Sequence, residues 1–226
     1  RAEAEKRYLR STLAHLGATV GQIRREVRSF ARDHPELRPD ELMALVEALW
    51  SKPVHERRMA AVFLLDAYPE LVFPRDLRLL ERLVRESRTW ALVDVIAAAV
   101  LGRLLVRHPA VARKLDRWNR DPDFWVRRAA LLAMLEPLRQ GASFDRFARY
   151  AEATLDEKEF FVRKAIGWVL RETAKRRPGE VFDWLALRTQ RVSGVTLREA
   201  VKYLSAAQRQ QLLEAYEQRR PAHRID

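Results

Sequence analysis

Apolar residues recur along the chain at helical spacing, with little strict alternation, which predicts helices and argues against strands. Four shorter amphipathic segments stand out: "RDLRLLERLVRE", "HPAVARKLDRWNR", "FDRFARYAEATL" and "PGEVFDWLALRTQ". Between them lie helices that resemble one another. "FWVRRAALLAML" from Phe124 and "FFVRKAIGWVLR" from Phe160 both read Phe, aromatic, Val, Arg, basic, Ala, 36 residues apart. A third copy, "LREAVKYL", places Arg198 a further 35 residues beyond Arg163. Backwards from Arg127, the same slot falls at Asp94 and then at Arg58. Two positions later come Ala60, Ile96, Ala129, Ala165 and Ala200; six positions later come Leu64, Val100, Ala133, Val169 and Leu204. A small residue followed by an apolar one about a turn later suits close helix packing.

Two helices every 33 to 36 residues predict an all-α protein, an α-solenoid of HEAT-like repeats with a curved, basic, concave face. Asp121-Pro122 reads as an N-cap with proline at the first helical position, and Pro178-Gly179 as a break between helices. With no linker or low-complexity tract, one domain is expected over residues 1–226, frayed at about 1–7 and 218–226.

Composition sharpens this picture. Apolar residues make up 48% and glycine plus proline only 17 residues, as in an ordered chain. Cysteine is absent, which excludes a disulfide scaffold and any thiolate nucleophile or metal ligand. Asp94 and Arg103 interrupt the longest apolar run, so no membrane span is expected. No secretory signal is apparent, the first residue is not Met and trimming is expected, and the expected location is the bacterial cytoplasm, at the nucleoid during activity. The net charge of +12 favours a polyanionic partner. Four repeat slots hold arginine (Arg58, Arg127, Arg163, Arg198), so a surface lined by them is basic, with Asp94 its one acid.

Several chemistries are set aside. There is no phosphate-binding glycine loop, dinucleotide fingerprint or Gly-x-Ser-x-Gly elbow. The histidines at 15, 34, 55, 108 and 223 have no ligand spacing; neither a metal site nor a cofactor is expected. Trp90 and Asp94, in "RTWALVD", are four apart and share one helix face. A carboxylate in that apolar run needs a partner or a use. It either pairs with an arginine such as Arg88 or Arg127, or does chemistry. Trp168, beside Gly167, reads equally as packing, and the recurring arginines as phosphate contacts or as a salt-bridged face.

A resemblance adds to these readings. "YLRSTLAHLGATVGQIRREV", "ELMALVEALWSKPVHERRMAAVFLL", "TWALVDVIAAAVLGRLLVRHP", "DFWVRRAALLAML", "EKEFFVRKAIGWVLRETAKRRP" and "LREAVKYL" together resemble the AlkD-type DNA alkylation repair family, HEAT-like repeat DNA glycosylases. The resemblance spans nearly the whole chain and is most specific in "EFFVRKAIGWVLRE". It implies a monofunctional glycosylase that excises cationic N3- or N7-alkylated purines from duplex DNA. It places the catalytic cleft at Trp90, Asp94 and Trp168, a DNA-contacting arginine at Arg128 and the opening tyrosine at Tyr8. It implies further phosphate contacts from Arg127, Arg163, Lys164, Arg198 and Lys202. The base stays in the duplex in this family, which leaves room for bulky adducts. Two departures bear on the lesion range: the proline that follows the Leu-Gly-Val element is replaced around "ATVGQ", and Thr89 precedes Trp90 where some members carry a tandem aromatic. The Arg- and Ala-rich composition fits a GC-rich genome and leaves self-resistance against a DNA-alkylating metabolite open. The rival readings are a non-catalytic binder of DNA structures and, less favoured by the charge, a protein-interaction scaffold. A monomer is expected.

Overall fold

The structure, a computed structural model, describes residues 1–218. It is all-helical; among these residues the β features are limited to one isolated parallel bridge, Ala14 to Val54. No helix among them is long and apolar enough to cross a membrane. The described residues divide into two compact units, 1–113 and 114–218.

The first unit is built around α4 (His55–Ala67), which packs against α2 (Val20–Asp33), α3 (Pro39–Trp50) and the segment Val95–Leu101. Its interior run Ala61–Leu65 is buried without a break. α1 (Ala2–Leu9) occupies residues expected to fray, although Leu9 is its single buried residue. The connection to α2 lies along the start of α4: Ala14 N–H donates to the Pro53 carbonyl, and His55 N–H to the Ala14 carbonyl. The Glu56 carboxylate takes both Leu16 N–H (2.9 Å) and Gly17 N–H (2.7 Å). Gly17 has φ +90°, where a side chain is strained. Thr19 and Gln22 then form a capping box that starts α2. α5 (Leu77–Ser87) follows two single turns of 3-10 helix, and α6 (Trp90–Asp94) runs on through a π-helical stretch, Val95–Leu101, into α7 (Gly102–Arg107).

The second unit centres on α12 (Phe160–Ala174), packed against α9 (Phe124–Leu132), α10 (Leu135–Arg139), α13 (Pro178–Ala186) and α14 (Gly194–Ala200). Gly167 permits the closest of these approaches. A Cβ there would lie 2.7 Å from Glu199 Cβ and 2.9 Å from the Thr196 carbonyl oxygen. The repeat's small residues serve packing as well: Ile96, Ala129, Ala165 and Ala200 are fully buried, and Ala60 is half-buried.

Two boundaries differ from expectation. The N-cap of α9 is Asp123, which accepts Trp125 N–H, because Asp121 instead turns the loop by accepting Asp123 N–H. Pro178 opens α13 at its first position, so the break falls earlier, at residues 175–177. The fraying expected at 218–226 lies, from residue 219 on, outside the described residues.

Candidate active site

α5 and α6 are joined by two residues, Arg88 and Thr89. Arg88 closes α5 in the left-handed region at φ 45°, and the Thr89 side chain caps α6 by accepting Ala91 N–H. This sharp turn places Trp90 in the first turn of α6 and Asp94 one turn later on the same face. Both are half-buried. The exposed Tyr8 of α1 meets the Trp90 ring edge-on, with centroids 6.0 Å apart. Immediately after Asp94 the helix widens into its π-helical stretch. The Ala99 carbonyl there accepts Arg103 Nε (3.0 Å), and Arg103 also reaches the Asp66 carbonyl and carboxylate on α4. Asp94 thus stands where the helix changes pitch, a feature frequent at functional sites.

The same unit holds a cavity of about 460 Å³ whose lining includes Arg10, Arg58, Arg85 and Arg88, with Ser11, Thr12, Ser87 and one acid, Glu86. Arg10 and Arg88 are the two non-glycine residues with positive φ among those described, at 48° and 45°. Each costs about 1–3 kcal/mol in backbone strain. Both are exposed, and each lies two residues from an aromatic of the Tyr8–Trp90 pair. Arg58 is held by the Trp50 ring (4.7 Å) and the Glu86 carbonyl (3.0 Å). Glu86 is in turn engaged by Trp50 Nε1 at 2.7 Å. The cavity wall therefore carries more positive than negative charge. Arg58 was legible as a repeat-slot residue and Arg88 as a possible partner of Asp94, whereas Arg10 and Arg85 were not singled out from the sequence. A positive φ at arginine has no sequence signature, so the convergence could not be read there.

The second unit holds the other expected residues. Trp168 is half-buried on α12, next to the close-packed Gly167. Arg127 pairs with Glu157 (2.7 Å) and donates to the Asp121 and Pro122 carbonyls. Arg163 donates to the Glu157 carbonyl, six residues earlier, just as Arg127 does to Asp121. In these two copies the recurring arginine closes the loop that leads into its own helix. Arg128 is buried and donates to the Phe161 carbonyl. Lys164 and Lys202 converge on the buried Glu199, at 2.6 and 3.0 Å, together with Arg171. Burial alone would raise the Glu199 pKa. Hydrogen bonds from the two lysines and the charge of Arg171 overcome that and hold it at about 2. Arg198 is exposed. The structure thus brings Trp90, Asp94 and Tyr8 together in the first unit, and directs most of the expected phosphate contacts of the second unit to protein partners.

Residues 1–204 match the model of a family described as DNA alkylation repair enzyme. Among solved structures, the chain resembles a protein described as a predicted DNA alkylation repair enzyme from Enterococcus faecalis. The TM-score is 0.81 at 21% identity, over 91% of this chain and 95% of that one. It also resembles smu.31 from Streptococcus mutans UA159, with a TM-score of 0.62 at 19% identity, over 82% of this chain and 98% of that one. At such identities the likeness is one of fold. No curated protein sequence matches.

Proposed function

The chain belongs to the DNA alkylation repair enzyme family, and we propose that within it this protein is a monofunctional DNA glycosylase that removes cationic N3- or N7-alkylated purines from duplex DNA. The observation that carries this reading is Asp94 one helical turn from Trp90, on an element that meets Tyr8 and begins two residues after Arg88 of the arginine-lined cavity.

The chemistry asks little of a cofactor. Alkylation leaves the purine positively charged and already a good leaving group. As the N-glycosidic bond lengthens, positive charge grows on the deoxyribose, and the bond electrons leave with the base. Water then bonds to C1′ and loses a proton. Asp94 supplies negative charge beside the developing oxocarbenium ion and orients that water, or accepts its proton. The Trp90 indole attracts the cationic nucleotide through its face, worth about 0.5–2 kcal/mol, and Tyr8 fixes the ring. Trp168 is assigned a second such contact on the resemblance alone. No lysine nucleophile is called for, so the abasic strand is left uncut. Arg10 and Arg88 hold backbone phosphates, contacts that position a duplex without reading its sequence. Gripped by its backbone, the lesion stays in the duplex rather than entering a deep pocket, and bulky adducts are accommodated.

The test is incubation of the protein with duplexes carrying N7-methylguanine or a bulky N7 adduct, followed by separate assays for free base and strand breaks. Free base with an intact strand that breaks only on alkaline treatment is the expected result. Tight duplex binding with no base released from either substrate contradicts it and leaves a non-catalytic binder of DNA.

A further inference from the structure

Away from Trp90 and Asp94, the first unit buries a group of polar atoms whose valences the protein does not fill. The His15 side chain is fully buried, and neither ring nitrogen has a hydrogen-bond partner among the described residues. Glu5 Oε2, Glu56 Oε2 and His55 Nδ1 are likewise buried and unpartnered. These atoms are not scattered. Glu5, His15 and Glu56 each present a ligand atom within 4.8 Å of the other two. Glu5 Oε2 and His15 Nδ1 are 4.0 Å apart, too far for a hydrogen bond. The His55 ring stacks on His15, at 4.5 Å between centroids and 7° between planes, and keeps that imidazole from turning away.

Unfilled polar atoms are costly in a protein interior, and a native fold seldom collects several in one place. A cation at their centre would satisfy them. Zinc bonds to imidazole nitrogen and carboxylate oxygen are about 2.0–2.2 Å long and tetrahedral, which sets neighbouring ligand atoms roughly 3.4 Å apart, so Glu5 and His15 must close in somewhat from their 4.0 Å. Any remaining gap closes by rotation of Glu5, whose side chain is 20% exposed. Glu56 is already aimed: its other oxygen is fixed by the Leu16 and Gly17 N–H groups, the kind of outer contact that orients a metal-binding carboxylate. A mixed nitrogen and oxygen set suits zinc and its neighbours better than magnesium or calcium.

We propose that Glu5, His15 and Glu56 bind a zinc-class divalent cation that fastens α1 to the start of α4. α1 has only Leu9 buried, and it carries Tyr8 to the edge of Trp90. The ion therefore sets how firmly that aromatic contact is held. The sequence predicted no metal site because the ligands come from three separate segments at unremarkable spacing; only the seating of the 10–19 connection on α4 brings them together. The site is independent of whether the protein cleaves glycosidic bonds.

The test uses the whole chain, stripped with a chelator and then titrated with zinc alone. One zinc per chain is expected by elemental analysis, with a melting temperature about 5–10 °C higher at a hundredfold excess over Kd. Tryptic cleavage after Lys6, Arg7 and Arg10 should slow at least ~10-fold with metal, as local opening is suppressed. Glu5→Gln, on a partly exposed helix face that folds without it, and His15→Gln should each weaken uptake at least ~10-fold. Cobalt in place of zinc should give visible absorption that both variants lose. Uptake of less than ~0.1 equivalent, or undiminished binding by Glu5→Gln when circular dichroism shows it folded, overturns the site. Binding that leaves the tryptic cleavage rate unchanged overturns the fastening role.

Discussion

Glu199 and Gly167 show how much of the second unit hangs on single residues. The Glu199 carboxylate is buried beneath three cations, and its folded-state pKa of about 2 lies below the ordinary 4.5. A depressed carboxylate stabilises the fold above its unfolded pKa and stops doing so as the folded value is reached. Stability should therefore fall between about pH 4.5 and pH 2. Glu199→Gln should flatten that part of a denaturant-stability profile while costing roughly 1–2 kcal/mol at pH 7, since charged hydrogen bonds are lost but the three cations are partly exposed and water takes up their charge. A profile equally steep in both proteins would refute the assignment. Gly167→Ala should destabilise by about 1–3 kcal/mol, because its Cβ meets Glu199 Cβ at 2.7 Å and backbone at 2.9 Å. Urea melts check this; a cost under ~0.5 kcal/mol would mean that α14 gives way freely. In the sequence, "IGW" drew notice for its indole. That the glycine sets the α12–α14 approach was hidden, because the partner residue lies 32 positions away.

At the scale of elements, the helices were the most legible feature. Apolar spacing located all four amphipathic segments, and the five-copy slot marked helices whose small residues are in most cases buried. The purpose of the slot was less legible. Two of its arginines hold backbone carbonyls six residues upstream, and a carbonyl acceptor leaves no trace in side-chain pattern. The π-helical stretch after Asp94 was hidden for a similar reason, since a change of backbone pairing looks like any apolar helix. The left-handed ends of α1 and α5 were hidden too, and these aim Arg10 and Arg88 at one cavity. Arg10→Gln and Arg88→Gln should each weaken duplex binding at every sequence alike, and lower the slope of log K against log salt by about 1. Lysine at either position should restore the slope. A slope unchanged in the double glutamine variant would remove this cavity from the DNA path.

For the molecule as a whole, charge and family point the same way. A surplus of +12 over 226 residues suits a polyanion, and the family is one of DNA alkylation repair enzymes. Many of the cations counted in that surplus are nevertheless engaged within the protein, so net charge foretold the partner class better than it foretold the contacts. Of the proposed catalytic residues, Trp90 and Asp94 were legible as an i, i+4 pair in an unlikely place. Trp168 was visible as an indole that read equally as packing, and Tyr8 stood out only through resemblance. Whether Asp94 carries the chemistry is decided by single-turnover base release from N7-methylguanine duplex by wild type and Asp94→Asn. Wild type should release base and the variant should be slower by at least ~100-fold, about 2.7 kcal/mol, with duplex affinity retained. Release at an undiminished rate in the variant would contradict that role.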